Sequence, residues 1–241
     1  MELHMTFKYI TVLCAAGGIV AFSATPAKKP LTVQLPQPKR TGSVSVEDAL
    51  QGRRSIRTYR KAPLTLADVS QLLWAAYGIT RKMDDAPPFL RGGLKTAPSA
   101  GALYPLEVYL AAGSVSNLPA GIYKYVPETH TLIQVVSGDK RAALCKAAMN
   151  QRMVGEAPVS LIYSAVFERT TRKYGRRGRQ RYVCMDLGHS GQNVYLQAYA
   201  LGLGTCAVGA FDDSSVKKVV GMTADEEPLY IMPVGRRKVT E

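Results

Sequence analysis

Acidic side chains are scarce in this chain: 18 Asp and Glu stand against 31 Lys and Arg among 241 residues, a formal net charge of +13. That imbalance excludes an acidic, solvating protein and points to anionic partners such as nucleic acid, a membrane surface or phosphate-bearing small molecules. The cations are not spread evenly. They gather in Arg53 to Lys61, Arg169 to Arg181 and Arg236 to Lys238. Three separate clusters fit small anionic sites better than one continuous nucleic-acid stripe, and for any one cluster a solvated basic face is the alternative. No nucleic-acid partner is expected.

Cysteine and histidine are also few. Of four cysteines, Cys14 lies near the start; Cys145, Cys184 and Cys206 follow with no CxxC spacing. That pattern is neither a disulfide framework nor a zinc site. His4, His130 and His189 are too scattered to gather a metal. Long apolar runs are missing as well. The longest near the N-terminus, Tyr9 to Phe22, is short of the ~20 residues a spanning helix needs. It follows Lys8 and precedes Ser23, Ala24, Thr25, Pro26 and Ala27, so residues 1–24 read as a signal peptide and the protein as exported, with an uncleaved anchor as the alternative. Cys14 follows Leu13, a poor fit to a lipoprotein site.

What remains has the composition of a globular domain, 46% hydrophobic and 20% charged. Residues 25–43, rich in Pro, Lys and Thr, read as a linker, and residues 44–241 as one domain. Val44 to Leu50 begins the folded part, where Ser45 can cap a short helix with Glu47 and Asp48 in its first turn. Thr65 opens a second helix to Tyr77, with Asp68 three residues on and an apolar stripe of Leu66, Val69, Leu72, Leu73 and Ala76. Trp74 on that face reads as core. Arg81 to Thr96 is a loop. Leu106 to Ala111 is a strand, and Gly121 to Val126 with Thr131 to Val136 form a hairpin. Lys140 to Met149 is helical, and the apolar run Pro158 to Phe167 is a strand buried on both faces. Met185 to Leu203 is a long helix with Leu187, Val194, Leu196, Ala198 and Leu201 inward. Thr205 to Phe211 and Leu229 to Val234 are the last strands. Strands and helices do not alternate, so the fold class is α+β.

Three segments carry candidate chemistry. In Gly52-Arg-Arg-Ser-Ile-Arg-Thr-Tyr59, an extended backbone puts Arg53, Ser55 and Arg57 on one side, two guanidiniums flanking a hydroxyl, suited to a phosphate and the sugar chain behind it. In Ala97 to Pro105, small residues let backbone approach a flat ligand closely; an ordinary surface turn is the alternative. In Gly202 to Phe211, two glycines lead from a helix into a run of small residues. Because this glycine pair follows a helix, it is not the dinucleotide fingerprint.

RRSIRTY, PSAGALYPLEVY, ERTTRKYGRRGRQRY and DLGHSGQNVYLQAYALGLG, in that order, resemble the SagB/ThcOx branch of the nitroreductase superfamily, from about Val44 to the C-terminus. The resemblance implies a central, mostly antiparallel sheet flanked by helices, with FMN at a homodimer interface. It implies that Arg53, Arg54, Ser55 and Arg57 hold the FMN phosphate and ribityl chain, and that Pro98, Ser99, Ala100 and Gly101 touch the flavin from the partner subunit. Gly209 and Ala210 would present backbone N–H at the flavin edge, and Arg236 and Arg237 would close on the phosphate. Lys173 and Tyr174 would be catalytic, one of them acting as a base in oxidation beside nitrogen. Classical nitroreductases carry Asn where Ala102 stands, which favours the azoline-oxidising branch. The activity implied is a ping-pong FMN oxidoreductase acting on a small-molecule or peptide substrate; neither its electron donor nor its acceptor can be read. The alternative is a non-enzymatic exported module that keeps the fold to bind flavin or another ligand. His189 reads as a packing group, and Tyr104 and Tyr182 as pocket lining or packing.

Overall fold

A computed structural model describes residues 30–238. The segment read as a signal peptide, and the last three residues, lie outside them.

A seven-stranded sheet, antiparallel at every pairing, forms the centre. Its strands are β1 (Thr32–Gln34), β4 (Leu106–Ala112), β5 (Gly121–Val126), β6 (Thr131–Ser137), β7 (Val159–Ala165), β8 (Leu203–Thr205) and β9 (Glu227–Arg236), in the order β1-β6-β5-β4-β7-β9-β8. The run Pro158 to Phe167 takes the expected place: β7 lies between β4 and β9 and every residue in it is buried. Alternate side chains feed two cores, as a period of two requires. Leu106, Val108 and Leu110 of β4, with Leu161 and Tyr163 of β7, pack beneath α2 (Leu66–Tyr77) and α6 (Val183–Ala200). Tyr109, Ala111, Ile162 and Ile231 face the other way, onto α3 (Arg141–Ala147), α4 (Arg152–Glu156) and α7 (Asp213–Val220). The architecture is the α+β one expected, a largely antiparallel sheet between helical layers.

Caps begin the helices where the residues call for them. Ser45 accepts from Asp48 N–H (3.0 Å) at the start of α1 (Val46–Gly52). Thr65 and Asp68 close a reciprocal capping box on α2, worth on the order of 1 kcal/mol. Three expectations change. The segment 30–43 is extended, as its prolines favour, yet Thr32–Gln34 pairs with β6 and Leu35 is buried, so part of the linker belongs to the domain. The stretch 81–96 contains a small hairpin, β2 (Ile79–Lys82) with β3 (Gly93–Lys95), whose strands are too short to show a period. The strand expected over Thr205 to Phe211 ends at Thr205; beyond it only Val208 pairs, with Ile231. The basic cluster Arg169 to Arg181 lies on an exposed helical segment. It forms α5 (Glu168–Arg177), broken at Gly175, and a π-turn over Gly178–Tyr182 that runs into α6.

Candidate active site

Helix α6 organises the site. Near its start, Asp186 is 2% exposed and accepts from Ser99 Oγ (2.6 Å) and Ala100 N–H (3.2 Å). Ser99 Oγ in turn accepts from Tyr104 N–H (2.9 Å). His189, one turn on, lies 3.3 Å from the Pro98 carbonyl through Nδ1, and Asn193 donates to the Thr96 carbonyl (3.2 Å). The stretch Thr96 to Ala100 is therefore strapped to α6 from three positions. Burial pushes the Asp186 carboxyl above its ordinary range, against the opposing pull of Ser99 and Ala100. This anchor was invisible in the sequence, where Asp186 stands among ordinary helix-forming residues.

The loop is strained. Gly101, Ala102 and Tyr104 have φ of 63°, 55° and 46°. Left-handed backbone suits Gly and Asn and costs other residues roughly 1–2 kcal/mol; Ala102 therefore carries the strain that an Asn in the classical version would ease. Gly101 has a second reason to lack a side chain. A Cβ there would lie 2.7 Å from Tyr174 Oη and 3.3 Å from Lys173 Nζ. The loop at Gly101 and the Lys173–Tyr174 pair therefore lie side by side within one chain. Tyr174 also packs edge-on against Tyr182, ring centres 4.9 Å apart, which places Tyr182 beside the pair.

Towards the other end of α6, Tyr195 ties together the remaining segments. Its hydroxyl accepts from Ala207 N–H (2.7 Å) and shares a hydrogen bond with Ser55 Oγ (3.2 Å). The Arg53 guanidinium sits 5.3 Å from the Tyr195 ring centre. Ser55 bridges Thr205 in parallel, and Ile56 N–H donates to the Thr205 carbonyl (2.9 Å). That approach depends on Gly204, where a Cβ would lie 2.6 Å from Ile56. The basic segment therefore lies directly along the run that leads to Gly209 and Ala210. Both of those are exposed, and neither amide donates to a protein acceptor among the described residues.

Cations without carboxylate partners mark this corner. Arg53 and Arg57 form no ion pair among the described residues, and Arg57 is exposed. Arg54 is exposed and donates to the carbonyls of Gln51 and Arg53 (2.8 and 2.7 Å), finishing α1. Beside Ser55, the buried Thr205 Oγ1 has no hydrogen-bond partner. Two unpaired guanidiniums, a hydroxyl and an unsatisfied buried oxygen fit the demands of a phosphate with its polyol chain. Arg236 and Arg237 differ from expectation. Arg236 reaches Asp68 of the α2 capping box (2.8 Å), and Arg237 donates to the carbonyls of Leu203 (2.8 Å) and Tyr199 (3.1 Å) at the end of α6. Arg236 thus pairs with the capping box of α2, while Arg237 satisfies carbonyls at the C-terminal end of α6, where a cation also suits the helix dipole.

The Nitroreductase family model matches residues 50–236, and the chain belongs to that family. It is an oxidoreductase by that membership. Among curated relatives, a presumed nitroreductase of Methanocaldococcus jannaschii is 44% identical over 207 residues, covering 86% of this chain and 97% of that one. The microcin B17-processing protein McbC of Escherichia coli is 31% identical over 130 residues, 52% of this chain and 47% of McbC, so this chain aligns with about half of that protein. Among solved structures, a presumed nitroreductase of Ralstonia eutropha superposes with a TM-score of 0.72 at 30% identity, covering 87% of this chain and 90% of that one.

Proposed function

We propose that the protein is an FMN-dependent oxidoreductase of the SagB type, working by alternate reduction and reoxidation on a small-molecule or peptide substrate, and that it acts as a homodimer after export. The observation that carries this reading is the junction at Tyr195, where Arg53, Ser55 and the Thr205 to Ala210 run converge beside unpaired arginines. Bound FMN would supply the hydride chemistry. Arg53, Arg54, Ser55 and Arg57 would hold its phosphate and sugar chain, and the amides of Gly209 and Ala210 would face the ring edge. Lys173 or Tyr174 would take the substrate proton.

The arrangement along α6 supports the proposed dimer. The loop Pro98 to Gly101 is anchored at Asp186 and the basic segment at Tyr195, nine residues away. At 1.5 Å per residue the two walls lie about 14 Å apart along one helix. Between them α6 exposes Gly188, His189 and Gln192. A second copy packed two-fold across that face brings its loop end to this copy's Tyr195 end, completing two sites. Apolar surface nearby supports the contact. Val46 is 64% exposed, Leu50 53% and Met185 50%, and a cleft of about 270 Å³ is lined by Val46, Ala49, Trp74, Ala75, Leu196 and Ala200 among others. Trp74 and Leu196, expected in the core, line this cleft instead.

Export rests on the Lys8 to Ala27 pattern alone. The test of the function as a whole is spectroscopic. The purified protein should carry a flavin absorbance band that a reductant bleaches. Arg53→Ala and Arg57→Ala should each weaken FMN binding roughly 10- to 100-fold, the worth of one charge-assisted hydrogen bond. Replacing Lys173 and Tyr174 by Ala should leave the band in place while abolishing turnover. Unchanged turnover would remove the pair from the reaction.

A further inference from the structure

We infer that the substrate carries an anionic group, a carboxylate or phosphate remote from its reacting centre, and that Arg176, Arg177 and Arg181 receive it; this rests on the oxidoreductase reading of the same site. The segment from Glu168 to Tyr182 holds seven cations and one acid. Three of the seven are neutralised: Arg169 by Glu107 (2.6 Å), Arg172 by Glu168 (2.9 Å) and Arg179 by Glu227 through two hydrogen bonds. Lys173 stands at Gly101. Arg176, Arg177 and Arg181 have no carboxylate partner among the described residues, all three are exposed, and with Gln180 they alone line a depression of about 380 Å³. That volume suits a small ligand.

Backbone geometry gathers them. Gly175 adopts φ 55° and ψ −144°, a conformation open in practice only to glycine, and breaks α5 immediately before Arg176. A π-turn from Gly178 to Tyr182 follows, and Arg181 lines the same depression as Arg176, five residues before it. The turn is held tightly inward, since a Cβ on Gly178 would lie 3.1 Å from Thr170. It ends on Tyr182, whose ring abuts Tyr174. The arginine cluster and the Lys173–Tyr174 pair are therefore neighbours on one short piece of chain. Three like charges crowded without a counter-charge repel one another, and a bound anion relieves that repulsion while taking paired guanidinium hydrogen bonds.

The test uses a matched pair of nitroaromatic probes, 4-nitrobenzoate and its methyl ester, which differ mainly in charge. Binding to the purified holoprotein is measured by equilibrium dialysis. The native protein should favour the carboxylate about tenfold or more at low ionic strength, and the preference should collapse near 0.5 M salt. The triple variant R176Q/R177Q/R181Q should lose the preference, and the charge-keeping triple R176K/R177K/R181K should retain part of it; circular dichroism checks the fold of each. Equal binding of acid and ester by the native protein overturns the inference, as does a preference that survives in the glutamine triple. Flavin absorbance of the same samples separates the two readings. A yellow protein with no preference defeats this inference alone, whereas a colourless protein with an arginine-dependent preference keeps the anion site and defeats the flavin reading.

Discussion

Replacing Asp186 by Ala removes two of the hydrogen bonds that tie the loop Pro98 to Gly101 to α6, from Ser99 Oγ and Ala100 N–H, and leaves the contact of His189 with the Pro98 carbonyl. A hydrogen bond to a charged acceptor contributes about 1.5–3 kcal/mol. Against two of these stands the cost of burying the carboxylate, which shows in its raised pKa. The net loss should be about 2–4 kcal/mol. For a domain of this size that corresponds to a fall in Tm of roughly 5–15 °C. Asp186→Asn keeps one acceptor and can donate to Ser99 Oγ, so it should cost only about 1 kcal/mol. Urea denaturation of the three proteins gives the numbers, and limited proteolysis locates the damage. The left-handed residues Gly101, Ala102 and Tyr104 store strain that the anchor restrains, so cleavage should appear first between residues 97 and 104. A Tm for D186A within a degree of the native value, or cleavage elsewhere with this loop intact, would refute the role given to Asp186.

Ala102→Gly should raise stability by about 1 kcal/mol, read from the denaturation midpoint, because φ 55° suits glycine and strains alanine; a loss would mean that the methyl's packing outweighs the strain. Tyr195→Phe should cost about 1–2 kcal/mol and weaken FMN binding several-fold, since it strands the Ala207 amide and releases Ser55. Lys95 gives a pH signature. It is 7% exposed, sits over the rings of Tyr77 and Tyr104, and burial lowers its pKa from 10.5 to about 8. The unfolded chain binds the extra proton between those values, so stability should climb as pH rises from 8 towards 10.5, and that climb should flatten in Lys95→Met. At the acid end, burial tends to raise the Glu226 pKa, but hydrogen bonds from Lys124 and Ser164 prevail and hold it below the usual carboxylate value. Its contribution is complete above the ordinary value of 4.5 and fades as pH falls through the depressed one, so Glu226→Gln should shrink the acid-induced loss of stability seen by thermal melts below about pH 5.

What could be read from the residues was mostly local. The caps at Ser45 and Thr65 are short-range signals, and the apolar stretch in β7 admits little but a central strand. The truncation of the strand after Thr205 was not legible, since Cys206 to Ala210 has strand-like composition but no neighbour beyond Val208 to pair with. Helix α7 was missed although its signals were present: Asp212 caps it, Val216 and Val220 face inward, and Gly221 ends it in left-handed geometry. The site divides along the same line. Arg53 and Ser55, expected on one side of an extended chain, do both reach Tyr195. The parts played by Asp186 and Tyr195, and the engagement of Arg236 with Asp68, depend on pairings across 87, 140 and 168 positions that no local pattern encodes.

The central claim is that one site is built from two copies of the chain around FMN. Light scattering of the purified protein combined with its flavin absorbance, recorded on one chromatographic peak, tests it directly. The expected result is a particle of two chains holding two FMN, with flavin lost when the dimer is split. A monomer, or a dimer that takes up no FMN when the cofactor is added, would contradict it.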